Sequence, residues 1–212
     1  LGLYYISKGK KSTETEKVKG EGMAFYSLEE VMIAFNEGKI DLHANIRVKA
    51  SVRDAATGEL SNKLIETTVG RVMFNQFVPA KVGYINALLT KKSLREIIGD
   101  IVKITDVPSA AKFLDDIKTL GFRMAFRGGL SFNVNDLIIP EMRNELLEQA
   151  KVEVEEVWEN YNMGLITNNE RYNQVIDIWS RVDTRITETL IREMATDKQG
   201  FNSVYMMLDS GA

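Results

Sequence analysis

Apolar and polar positions change rhythm along the chain, with an alternating pattern early and a three-four pattern late. Ala44, Ile46, Val48, Ala50 and Val52 alternate with Asn45, Arg47, Lys49, Ser51 and Arg53, the period of a strand with one wet face. Asp54 to Gly58 has turn chemistry, and the β-rich runs Leu64 to Val69 and Arg71 to Val78 complete a small antiparallel sheet ending at Pro79. Leu1 to Ile6 reads as a strand already under way, and the polar, glycine-bounded residues 7–22 read as an exposed loop. Ser27 and Glu30 stand three apart ahead of an apolar run, predicting a capping box and a short helix to about Asn36, closed by Gly38. Leu94, Ile97, Ile98, Ile101 and Ile104 form one helical stripe; Phe113, Leu114, Ile117 and Leu120 form another, which Gly121 terminates. Arg127 to Asp136 joins a glycine pair to a strand-like alternation before Pro140, where the pattern sets a domain boundary.

From Pro140, placed as a first helical residue, Leu147, Ala150, Val154, Val157 and Tyr161 step by three and four as a heptad seam. Asn162, Met163 and Gly164 break it. Thr167 and Glu170 form a second capping box, after which Tyr172, Val175, Trp179, Val182 and Ile186 repeat the spacing. Two such seams joined by a short turn bury each other only by folding back antiparallel. With about 20 residues per arm, the predicted hairpin is about 30 Å long. The fold class is therefore α+β: a body of small mixed or antiparallel sheet and helices over 1–139, then an antiparallel helical hairpin over 140–200, with a further element over 201–212.

Composition narrows the chemistry more than the fold. The 212 residues carry 27 Lys and Arg against 30 Asp and Glu, for a net charge of −3, so binding nucleic acid through bulk positive charge is disfavoured. No cysteine and one histidine exclude thiolate zinc sites, disulfides, cysteine nucleophiles and multi-histidine metal centres. No stretch has the roughly 18 apolar residues that cross a bilayer, and the default expectation is a cytoplasmic protein without a membrane partner. Residue 1 is Leu rather than Met; a piece of a longer chain and a trimmed complete protein both account for it.

Candidate chemistry is sparse. Glu141, Glu145, Glu148, Glu153, Glu155, Glu156 and Glu159 crowd the first arm against only Arg143 and Lys151, a negative field suited to a basic partner or simply a solvated face. Arg171, Arg181 and Arg185 punctuate the second arm and suit phosphate recognition or pairing with the opposite glutamates. Gly128, Gly129 and Ser131 lack the strand-loop-helix order of a phosphate cradle and read as a tight backbone passage. Adjacent acids such as Asp115 and Asp116, or Glu155 and Glu156, diverge by about 100° on a helix and cannot share one magnesium ion. His43 has no partner that sequence identifies and reads as structural.

Leu1 to Tyr5, Thr67-Thr68-Val69-Gly70-Arg71, segment 127–140, Glu170 to Trp179 and Phe201 to Ala212 together resemble the β′ subunits of bacterial DNA-directed RNA polymerase, collinearly over essentially the whole chain. The resemblance implies a pore domain over 1–139, the funnel or secondary-channel rim with its hairpin over 140–200, and the truncated start of the bridge helix over 201–212. It further implies a non-catalytic section of a nucleotidyltransferase. The aspartate-rich loop holding magnesium would lie upstream and the trigger loop downstream, so the segment alone would be inactive. Magnesium and zinc belong to the intact subunit, outside this segment. The implied work is to line the channel for nucleoside triphosphates and the backtracked RNA 3′ end, and to dock channel-inserting transcription factors. Other implied partners are the β, α, ω and σ subunits, with DNA, in the intact enzyme. By resemblance the docking tip is Tyr161, Asn162, Met163, Gly164, Leu165, Thr167, Asn168 and Asn169, and Arg171 and Arg185 match channel-side basic positions. The loop 8–19 and the linker Met194 to Gly200 fall in variable regions of the family. The rival readings are an autonomous interaction module offering an acidic coiled-coil arm to a basic protein, and a hydrolase, which would need His43 near an acid and a hydroxyl.

Overall fold

A computed structural model describes residues 1–14, 16–54 and 58–211. These form two compact units, 1–131 with 206–211, and 132–205. In the first unit β2 (Asn45–Arg53) and β3 (Leu60–Thr68) pair antiparallel from Asn45 opposite Thr68 to Arg53 opposite Leu60. A two-residue strand β1 (Ala24–Phe25) joins β2 in parallel, making a mixed sheet of order β1-β2-β3. The alternation in β2 is real: Ile46, Val48 and Ala50 are buried while Arg47, Lys49 and Ser51 are exposed. The predicted turn at 54–58 is seen only at its ends, where the Gly58 N–H donates to the Asp54 carbonyl at 2.9 Å; residues 55–57 lie outside the described residues.

Two expected strands are helices. Leu1 to Ile6 becomes α1 (Gly2–Ser7), and Arg71 to Val78 is largely taken by α3 (Val69–Asn75). Their β-branched and aromatic residues mimic strands because short helices covered on all sides show no polar stripe. Tertiary contacts decide instead. Thr68 caps α3 by accepting the Arg71 N–H at 3.3 Å. A Cβ on Gly70 would stand 1.8 Å from the Ile6 carbonyl oxygen, and one on Gly2 would stand 2.2 Å from that of Gly121. α1 is thus seated between α3 and α5 backbone to backbone, which only glycine permits.

α2 (Leu28–Asn36) starts as predicted at Ser27, although the Glu30 carboxylate accepts from Tyr26 N–H at 2.7 Å rather than from the cap residue itself. α4 (Lys91–Ile104) carries the first predicted stripe. α5 (Val107–Gly128) does not stop at Gly121; it runs seven residues further to a left-handed Gly129 at φ 55°. Gly121 is a point of close approach inside the helix, not a terminator. The alternation expected beyond Arg127 is likewise absent: Gly128 ends a helix and Val134–Asp136 is a single 3₁₀ turn. One core in this unit centres on Ile6, Phe74, Phe113 and Leu120, and a second lies under the sheet around Val31, Ile46, Val48 and Val69.

The second unit is dominated by α6 (Arg143–Asn162) and α7 (Asn168–Thr196). Helix α6 begins at Arg143, so Pro140 sits before the helix, its carbonyl accepting the Arg143 N–H at 3.0 Å. α7 has 29 residues and outruns its partner. Beyond it Lys198 and Gln199 take left-handed φ of 48° and 57°, and Asn202 caps α8 (Ser203–Ser210) by accepting the N–H groups of Val204 and Tyr205.

Candidate functional site

The hairpin is held by an apolar seam with caps at the reversal. Leu146, Ala150 and Val157 on α6 bury against Ile178 and Val182 on α7, with Leu147, Val154, Val175 and Ile186 packed beside them. Tyr161, Tyr172 and Trp179, expected in the seam, stand outside its buried set; Ile178 takes the place assigned to Trp179. The slip is one residue, because an actual helix drifts off a strict heptad count. The arms run antiparallel: Glu153 pairs with Arg181, and nearer the turn Trp158 and Tyr161 meet Arg171.

The reversal is built from two reciprocal devices. At the end of α6 the Leu165 N–H donates to the Asn160 carbonyl at 2.9 Å and the Gly164 N–H to that of Tyr161 at 3.0 Å, the Schellman pattern, with Gly164 at φ 76°. At the start of α7 Thr167 Oγ1 accepts the Glu170 N–H at 3.3 Å, and the Glu170 carboxylate accepts the Thr167 N–H at 2.7 Å. The Thr167 N–H, and then the Thr167 hydroxyl donating at 2.8 Å, hold the Glu170 carboxyl below its ordinary pKa. The expected tip residues Tyr161, Asn162, Met163, Gly164, Leu165, Thr167, Asn168 and Asn169 are all exposed and adjacent in space along this turn. Met163 and Leu165 are 65% and 69% exposed, large apolar side chains with no buried counterpart.

The basic residues of the second arm divide by environment. The Arg171 guanidinium lies 4.1 Å from the Trp158 ring centre and 5.2 Å from that of Tyr161, and Nη2 donates to Asn168 Oδ1 at 2.8 Å. Arg181 is paired across the hairpin with Glu153. Arg185 is exposed, about one turn further along the same helix. On α6, Glu148 pairs with Lys151 at 2.7 Å and Glu145 accepts from Gln149 at 3.4 Å, so part of the acidic face is internally matched. The aromatic partners of Arg171 escaped sequence reasoning, since a cross-arm stack needs the register of both helices.

Elsewhere the Thr67 to Arg71 motif is a structural fastening. Arg71 Nε donates to the Ser7 carbonyl at 2.9 Å and Nη1 to Asn86 Oδ1 at 2.8 Å, while the Thr67 hydroxyl meets Tyr84 at 2.7 Å. Burial pushes the Tyr84 phenol up to about 12. His43 Nδ1 meets the Lys8 backbone carbonyl at 2.9 Å and its ring packs edge-on against Tyr5; burial lowers its pKa. That hydrogen bond goes to main chain. Asp115, one of the adjacent acids, is paired with Lys118 at 2.8 Å. Among the described residues no group of three or more of His, Asp and Glu is placed to hold a metal ion. No helix among them is long and apolar enough to cross a membrane.

Residues 1–137 match the family described as RNA polymerase Rpb1, domain 3. Over all 212 residues the chain is 54% identical to the DNA-directed RNA polymerase subunit β′ of Flavobacterium johnsoniae, 58% to that of Karelsulcia muelleri and 53% to that of Bacteroides thetaiotaomicron. It spans about 15% of the length of these curated relatives.

Proposed function

This chain belongs to the RNA polymerase Rpb1 domain 3 family as a segment like those of β′ subunits, and on that premise we propose that it lines the secondary channel and docks channel-inserting factors during DNA-templated RNA synthesis. The observation that carries the docking role is the capped reversal 161–169, exposed at every position but Ile166, which packs back on the seam. It spends two reciprocal hydrogen-bond motifs on fixing a turn that ends in two uncovered apolar side chains. A tip so ordered has no intramolecular use for Met163 and Leu165, and suits a protein partner with an apolar patch. The acidic residues of α6 behind it favour a partner basic at its flanks.

In this reading the segment supplies no reacting group. The β, α, ω and σ subunits surround it in the assembled nucleotidyltransferase, with DNA, RNA and nucleoside triphosphates passing by. The exposed Leu114, Phe122 and Phe126 of α5 are apolar groups suited to burial against the remainder of such an assembly. Arg185, whose guanidinium is exposed, steers triphosphates by its field.

The test uses holoenzyme assembled with full-length β′. Gly164→Val forces a β-branched residue into a left-handed position and should weaken binding of a transcript-cleavage factor. Wild-type affinity would remove the docking role from the tip. Arg185→Glu should raise the apparent KM for nucleoside triphosphates, and an unchanged concentration dependence would remove the steering role.

A further inference from the structure

We infer that Arg171 is a positioning residue for the docking tip: its guanidinium, stacked on Trp158 and Tyr161 across the hairpin, fixes the orientation of the reversal that a partner meets. The inference rests on the docking reading and sharpens it. On α6 the buried seam ends at Val157, and beyond it the partly buried Ile166 of the reversal packs against the same seam. The final turn of α6, with Trp158 and Tyr161 43% and 36% exposed, is therefore not joined to α7 by buried aliphatic packing. Arg171 makes that join. It comes from the first turn of α7, lies over both rings of the last turn of α6, and bonds Asn168, the residue that opens its own helix.

Two features distinguish this from a charge held ready for a passing phosphate. The Nε of Arg171 is buried without a hydrogen-bond partner, so the guanidinium is oriented by stacking at the expense of a donor. The rings are also set edge to face, 6.2 Å apart at 83°, giving the cation two ring faces of different orientation. A planar guanidinium fits that corner, whereas an ammonium of equal charge would keep the field and lose the stack.

The experiment compares Arg171→Lys, Trp158→Ala, their combination and Leu165→Ser in holoenzyme with full-length β′. The readouts are the Kd of a purified transcript-cleavage factor, the KM for nucleoside triphosphates, and amide hydrogen exchange over 163–167. Two cation–π contacts correspond to roughly tenfold, so Arg171→Lys should weaken binding and speed exchange by about that factor with KM unchanged. Trp158→Ala should match it, and the combination should be no worse than either alone. A raised KM in Arg171→Lys, or wild-type binding in that variant while Leu165→Ser binds poorly, overturns the positioning role. Unaltered binding in Leu165→Ser, with exchange still faster in Arg171→Lys, sinks the docking reading instead and leaves the stack as the clasp of an unvisited turn.

Discussion

The body of the first unit and the hairpin of the second are stabilised by opposite strategies. In the body, contacts between residues far apart in sequence decide the local structure: α1 is helical because Gly2 and Gly70 let it approach two other backbones, and Ser7 is bonded by Arg71 and by the Leu89 N–H at 3.0 Å. In the hairpin, nearly every determinant is local, from the three-four spacing to the two capping motifs. The body is thus specified by close approach and the hairpin by periodicity, and each should fail in its own way.

The sharpest test of that contrast is Gly70→Ala. The new methyl would overlap the Ile6 carbonyl, a backbone atom that cannot rotate away, at a cost of about 3 kcal/mol. Thermal denaturation followed by circular dichroism should show a large drop in Tm, and an unchanged Tm would mean α1 is not seated as described. Next in size, Ile178→Ala opens the seam at its buried centre and should cost about 2 kcal/mol, read as faster amide exchange in both arms and none in the sheet. Spread of the effect into the sheet would deny the hairpin its independence.

How much of this was legible in sequence follows the same division. The hairpin, its reversal and its second cap could be read because heptads and capping boxes are short-range signals. The structure departs from that reading in the one-residue drift to Ile178, the exposure of Tyr161 and Tyr172, the later start at Arg143 and the full length of α7. In the body, β2 is readable from its alternation, whereas α1 and α3 read as strands because Tyr4, Tyr5, Val69 and Val72 are β-formers that a covered helix accepts. Gly121 reads as a stop because nothing local in the sequence distinguishes a glycine that ends a helix from one inside it; the close approach to its carbonyl is allowed by Gly2. At the candidate site the exposed tip residues were legible as a turn. The stacking of Arg171 was not, since it depends on the pairing of two helices.

Smaller effects sharpen the hairpin side. Thr167→Ala removes a cap worth about 1 kcal/mol and should fray the first turn of α7 without moving the seam. Its partner Glu170 has a pKa lowered in the folded state, so its contribution is present above the ordinary 4.5 and fades as pH falls through the depressed value. Protection factors at the tip, taken relative to the intrinsic exchange rate at each pH, should therefore fall on acidification below 4.5, and Glu170→Gln should flatten that dependence. Smallest of all, Arg181→Ala removes a pair whose members are 54% and 46% exposed, worth at most about 0.5 kcal/mol and less in high salt. A loss beyond 1.5 kcal/mol would mean the arms are held by charge rather than by apolar packing.

One residue at the foot of the hairpin has a wider consequence. Asp136 accepts the Asn133 N–H at 2.9 Å and the Lys198 ammonium at 3.0 Å through its carboxylate, and the Asn202 amide at 2.8 Å through its carbonyl. The last of these joins positions 66 apart in the chain, so everything between them is a tethered excursion whose ends stay together whatever its middle does. Loop-closure entropy grows only logarithmically with contour length. A heptad added to each arm would carry the reversal about 10 Å outward while leaving the tie at Asp136 intact. Reach is thereby a free variable of this architecture, adjustable in length without disturbing the bonds that close its base.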